Sequence, residues 1–144
     1  MTAMNDVAHR RPLDLLDAFH RAMVALSADG LADLHASDAV YEFPLLTPGR
    51  PERYRGREEI RAGFREVWAG ASAHLRVTQI RNVVVHETTD PEVLVVEHEA
   101  LATLIGNDER IVVPSLIIIK ACNGLLVHVR DYSAGTRRPD FREA

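Results

Sequence analysis

Apolar residues recur at helical spacing near the start of the chain, at Leu13, Leu16, Phe19 or His20, Met23 and Leu26. The pattern predicts helix across residues 12 to 35, interrupted at Asp29-Gly30, with Leu31-Ala32-Asp33-Leu34 as a short second helix. Ala39-Val40-Tyr41-Glu42-Phe43 alternates with the period of a strand and is stopped by Pro44. From Pro44 to Gly56 the chain is rich in proline and glycine and carries Arg50, Arg53 and Arg55, which predicts an exposed loop. A third helix follows, with Ile60, Phe64 and Val67 or Trp68 on one stripe. Four strands are then expected at roughly 74–87, 92–105, 110–122 and 124–133. Turn signals separate them at Thr89-Asp90-Pro91, Gly106-Asn107-Asp108 and Asn123-Gly124, the last a strong hairpin cue. Helices first and a long meander afterwards predict an α+β domain, its helices segregated to one face of a curled antiparallel sheet. Neither repeats nor linkers divide the chain. Residues 1–144 read as one domain with an ordered core at about 12–135 and mobile ends.

Composition narrows the function classes. With 47% hydrophobic and 26% charged residues the chain is globular, and with only 6% aromatics its interior is mostly aliphatic. A net charge of −4 without a basic face argues against nucleic acid. The single Cys122 cannot form an intrachain disulfide or a thiolate metal site by itself. A polar Met1–Pro12 lacks the apolar run of a signal peptide, and no segment is apolar for long enough to span a membrane, so a cytoplasmic protein is expected. His20, His35, His74, His86 and His128 show no ligand-type spacing, the serines no Gly-x-Ser-x-Gly elbow, and no glycine-rich phosphate loop is present. The expectation is therefore a protein with neither metal nor cofactor.

Two strands carry the candidate chemistry. Split by alternation, the last strand puts Leu125, Val127, Val129 and Asp131 on one face, and Leu126, His128, Arg130 and Tyr132 on the other. Asp131 is thus an acid on the cleaner apolar face, where a carboxylate is costly unless paired or used. The strand from Val93 to Ala102 places Leu94, Val96, His98, Ala100 and Ala102 together, with His98 the only titratable group and two small alanines leaving room. A His98/Asp131 pair lining an apolar pocket follows as one reading. Another is structural: Asp131 pairs with Arg130, Arg137 or Arg138, and His98 is a hydrogen-bonded core histidine. The arginines at 50, 53, 55 and 57 suit either an anionic substrate at a pocket mouth or a solvated loop.

Three segments carry a resemblance. Ala36-Ser37-Asp38-Ala39-Val40-Tyr41-Glu42-Phe43-Pro44, Tyr54-Arg55-Gly56-Arg57-Glu58-Glu59-Ile60 and Val129-Arg130-Asp131-Tyr132 resemble the SnoaL-like branch of the NTF2-like superfamily. The resemblance implies a cone, or cystatin-like α+β roll, in which a curved antiparallel sheet wraps about three N-terminal helices. It implies an apolar pocket for a small apolar or aromatic ligand, walled by Phe19, Met23, Phe43, Phe64, Trp68, Val96, Ala100 and Val129. It also implies a homodimer packed through the sheet.

The same superfamily contains several chemistries. Ketosteroid isomerases place a proton-abstracting Asp where Phe43 stands here, and a helix-one tyrosine near Phe19 or Met23. Limonene-epoxide hydrolases use an Asp-Arg-Asp relay with a Tyr and an Asn; Tyr41 and Asp131 match, His98 replaces the arginine, Ala100 the other aspartate and Phe43 the asparagine. SnoaL-like polyketide cyclases need only a last-strand aspartate as acid/base, which Asp131 matches. The resemblance thus implies a cyclase or isomerase type of enzyme using Asp131, His98 and Tyr41. Its alternatives are a non-catalytic ligand-binding or assembly module, and water addition to an epoxide.

Overall fold

The structure is a computed structural model, and it describes residues 10–45 and 48–133. Most of the chain ends expected to be mobile lie outside those residues. The elements in order are α1 (Pro12–Ala25), α2 (Ala28–Ala32), β1 (His35–Glu42), β2 (Arg53–Arg55), α3 (Arg57–Ser72), β3 (Leu75–Glu87), β4 (Val93–Leu104), β5 (Arg110–Cys122) and β6 (Leu125–Asp131).

Pro12 opens α1, where a missing N–H costs nothing, and the Asp14 carboxylate accepts from the Arg11 N–H at 2.8 Å. The helix stops at Leu26, which turns into the left-handed region with φ 50°. Its buried face is Leu15, Leu16, Phe19 and Ala22. The face is rotated from the expected stripe, because Leu13 is 49% exposed and Met23 only half-buried. Ser27 caps α2 by accepting from the Gly30 N–H at 2.9 Å.

Six strands form one curved open sheet in the order β2-β1-β6-β5-β4-β3. All neighbours are antiparallel except β1 and β6, which pair in parallel. The one parallel pair is an addition to the expected curved antiparallel sheet: α3 and the meander lie between β1 and β6, supplying the long connection that parallel pairing requires. The arginine-rich segment also departs from a plain loop, since Arg53–Arg55 pairs with β1 as β2. The helices cover one side of the sheet, α1 against β3 to β6 and α3 against β1, β2 and β3. Asn123 and Gly124 both have positive φ, at 54° and 79°, as the tight turn between β5 and β6 requires.

A bulge changes which residues of β6 face inward. Lys120 pairs with His128 but Ala121 pairs with Leu126, so Val127 is an extra residue. Leu126 and Val129 are consequently both fully buried, whereas strict alternation had placed Leu125 and Val127 inward. Downstream of the bulge the expected phase holds, and Val129 and Asp131 share a face.

Gly63 of α3 carries the ring of Tyr54. A Cβ at Gly63 would stand 2.3 Å from Tyr54 Cζ. Gly63→Ala is therefore expected to displace Tyr54 from its aromatic neighbours and cost about 1–3 kcal/mol by overpacking. Thermal unfolding followed by circular dichroism reads the effect; an unchanged Tm would show that the ring moves aside freely.

Candidate functional site

β1 and β6 bring the first two site residues together. Their parallel register sets Tyr41 beside Val129, two residues before Asp131. The Tyr41 hydroxyl donates to Asp131 Oδ2 at 2.7 Å. The Ser133 N–H donates to Asp131 Oδ1 at 3.0 Å, and the Ser133 hydroxyl donates to the same oxygen. Asp131 is thus held in one orientation by three donors, the partners a carboxylate accepts. Arg130 does not pair with it, and Arg137 and Arg138 lie outside the described residues. Tyr41 is 2% exposed. Burial first, then the charge and hydrogen bond of Asp131, push its hydroxyl well above the ordinary phenol range. It remains a donor at any physiological pH.

β4 supplies His98, on the inner face and 2% exposed. Its partner is not Asp131. Nδ1 of His98 stands 3.2 Å from Nε2 of His20 on α1, the two rings nearly perpendicular at 89° with centroids 4.8 Å apart. Nε2 of His98 is buried without a hydrogen-bond partner. Burial above all, with a smaller push from His20, lowers the His98 pKa to about 4, and Asp131 opposes the shift. Burial also lowers His20, against the influence of Asp17. Both rings are therefore neutral at pH 7.

Aromatic residues surround Tyr41. Its ring packs on Phe43 and Phe64, Phe64 reaches Tyr54 and Trp68, and the Arg50 guanidinium sits 4.8 Å above Phe43. Of the other expected wall residues, Phe19, Val96 and Val129 are buried in the core, Met23 packs against it half-buried, and Ala100 is partly buried. Among the described residues, three surface clefts of about 220, 320 and 400 Å³ are lined by other residues than Tyr41, His98 and Asp131. The site meets solvent where His20 and Asp131 are part-exposed.

Sequence reasoning passed over three residues of this site. In the sequence His20 is a core-stripe alternative to Phe19 and lacks metal-ligand spacing, although a titratable group at that distance from Leu16 is itself a signal. Ser115 and Ser133 carry none; they become polar neighbours only through the register that sets Ser115 opposite His98 and carries β6 on to Ser133.

Residues 16–129 match the SnoaL-like domain, and the chain belongs to that family. Its six-stranded curved sheet and three helices match the ketosteroid isomerase-like fold. A provisionally assigned isomerase from Bacillus subtilis is 20% identical with a TM-score of 0.69, over 91% of this chain and 88% of that one. A provisionally assigned polyketide cyclase from Pseudomonas putida is 18% identical with a TM-score of 0.63, over 85% of this chain and 91% of that one. An epoxide hydrolase/cyclase-like enzyme with a role in pyran ring formation in polyether salinomycin is 15% identical with a TM-score of 0.63, over 93% and 95%. At these identities the likeness carries the fold alone. The chain matches none of the curated proteins compared with it.

Proposed function

We propose that this protein is a cofactor-independent enzyme of the cyclase or isomerase type, acting on a planar, largely apolar carbonyl compound. The observation that carries the reading is the Tyr41–Asp131 hydrogen bond, which fixes one carboxylate beside an aromatic wall. Asp131 takes a proton from the carbon next to the carbonyl, and the electron pair left behind moves onto the carbonyl oxygen. A ring closes when that carbon attacks a second carbonyl of the same ligand; isomerisation results when the proton returns at a different carbon. The Nε2 edge of His98 donates to the oxygen as charge develops. Tyr41 acts through Asp131, as a positioning residue.

A second reading, a non-catalytic binding or assembly module, draws support from Phe19, Val96 and Val129, whose burial makes them core as much as wall. Water addition to an epoxide is disfavoured, because Ala100 and Phe43 stand where that reaction's second aspartate and its asparagine belong. A homodimer packed through the sheet belongs to the same proposal, covering the exposed Val83 and Val84 of β3.

The test uses 2-tetralone as an enolisable aromatic ketone in D2O, with loss of the α-proton signals followed by NMR. Wild type is expected to accelerate exchange beyond buffer and beyond Asp131→Asn. Trp68, at the rim of the aromatic cluster, reports binding by fluorescence in the same samples. Quenching without exchange would leave the binding module and remove the enzyme.

A further inference from the structure

Polar side chains cross the apolar floor of the sheet in a row that is broken at one place. On one side stands the His20–His98 pair. On the other, the Ser133 hydroxyl is committed as donor to Asp131, so the Ser115 hydroxyl must donate to Ser133. The Ser115 oxygen keeps its acceptor capacity. Ser115 lies directly opposite His98 in the β4–β5 register, where side chains on one face are neighbours. His98 Nε2 is buried without a partner, which is costly for a polar nitrogen unless something else completes it.

We propose that this break is a binding point for a single uncharged oxygen of the ligand, and that His20 sets it up by holding His98 as an Nε2–H donor. The arrangement follows from the tautomers. When His20 donates its Nε2–H to the His98 Nδ1 lone pair, the remaining proton of His98 sits on Nε2. A ketone oxygen then accepts from His98, and the corresponding enol hydroxyl accepts from His98 while donating to Ser115. The two forms of one enolisable group are thus both satisfied at the same point. A carboxylate would meet neutral imidazoles that cannot balance its charge, and an ammonium would meet a donor. This deepens the proposed function, on which the choice of an enolisable ligand rests, but the binding point does not itself require turnover.

The probes are 2-naphthol, which can accept and donate, and 2-methoxynaphthalene, which can only accept. Their affinities are compared by titration calorimetry. Wild type is expected to prefer the naphthol by roughly 3- to 10-fold, the worth of one hydrogen bond. Ser115→Ala is expected to bring the two probes to near parity with little change for the ether. His20→Leu is expected to weaken both probes, and His20→Gln, which retains a donor, to restore them. Nitrogen-15 NMR of the imidazoles reads the tautomer directly, with the His98 proton expected on Nε2 in wild type. Equal affinities in wild type, or a His98 proton on Nδ1, would overturn the proposal; circular dichroism confirms that each variant is folded. A naphthol preference without tetralone exchange would keep the binding point and discard the enzyme, and exchange without the preference would do the reverse.

Discussion

Asp131→Asn is expected to lower protein-dependent exchange of 2-tetralone by about 10²–10⁴-fold, the usual worth of a general acid/base. The substitution is nearly isosteric and keeps an amide oxygen that can accept from Ser133. What it loses is the capacity to hold a proton taken from carbon. The amide nitrogen would face the Tyr41 hydroxyl, replacing one acceptor of a 2.7 Å hydrogen bond by a donor. That mismatch costs about 1 kcal/mol of stability, far less than the rate effect requires. Activity and Tm therefore separate: a large loss of exchange with a small shift in unfolding supports Asp131 as the group that touches substrate. Exchange unchanged in the variant would remove it from the mechanism, and the Tyr41–Asp131 bond would then be a structural tie between β1 and β6.

The parts of this molecule governed by local periodicity were legible in its sequence. The α+β order, the third helix and the Asn123-Gly124 turn follow from spacing and backbone preference. The inward phase of Asp131 and of His98 also follows from alternation, because neither lies beyond a bulge that would have flipped it relative to Val129 or Val96. What alternation misplaced were Leu125 and Val127, since the extra residue at Val127 depends on pairing with β5. The parallel β1–β6 pair was illegible for the same reason: it joins residues far apart in the chain, and no local pattern encodes it. Partner choice followed suit. Asp131 was weighed against His98 and arginines, whereas the fold gave it Tyr41 and Ser133. His98 received His20, which comes from α1 on the other layer.

Acid is expected to destabilise this protein as pH falls from neutral toward 4, through its buried histidines. His35 and His98 are fully buried, 0% and 2% exposed, and burial lowers the pKa of each to about 4. His35 donates from Nδ1 to the Leu31 carbonyl at 2.8 Å, while its Nε2 is buried without a partner. Well above pH 6.5 both histidines are neutral in the folded and unfolded chain, so they contribute no pH dependence there. As pH falls through 6.5 the unfolded chain binds protons that the folded one refuses, and stability drops until the folded groups also titrate near pH 4. A displacement from 6.5 to about 4 corresponds to roughly 3 kcal/mol per histidine. Two such groups together approach the whole stability of a typical domain, about 5–15 kcal/mol. His20, lowered in the same direction, adds to the loss. The urea midpoint is thus expected to fall steeply between pH 7.5 and 4.5. His35→Gln, which keeps a donor for Leu31 but does not titrate, is expected to remove roughly half of that slope, whatever it does to stability at pH 7.5. A midpoint that stays level over this range in wild type would mean that the buried rings reach water and take up protons as readily in the folded chain as in the unfolded one.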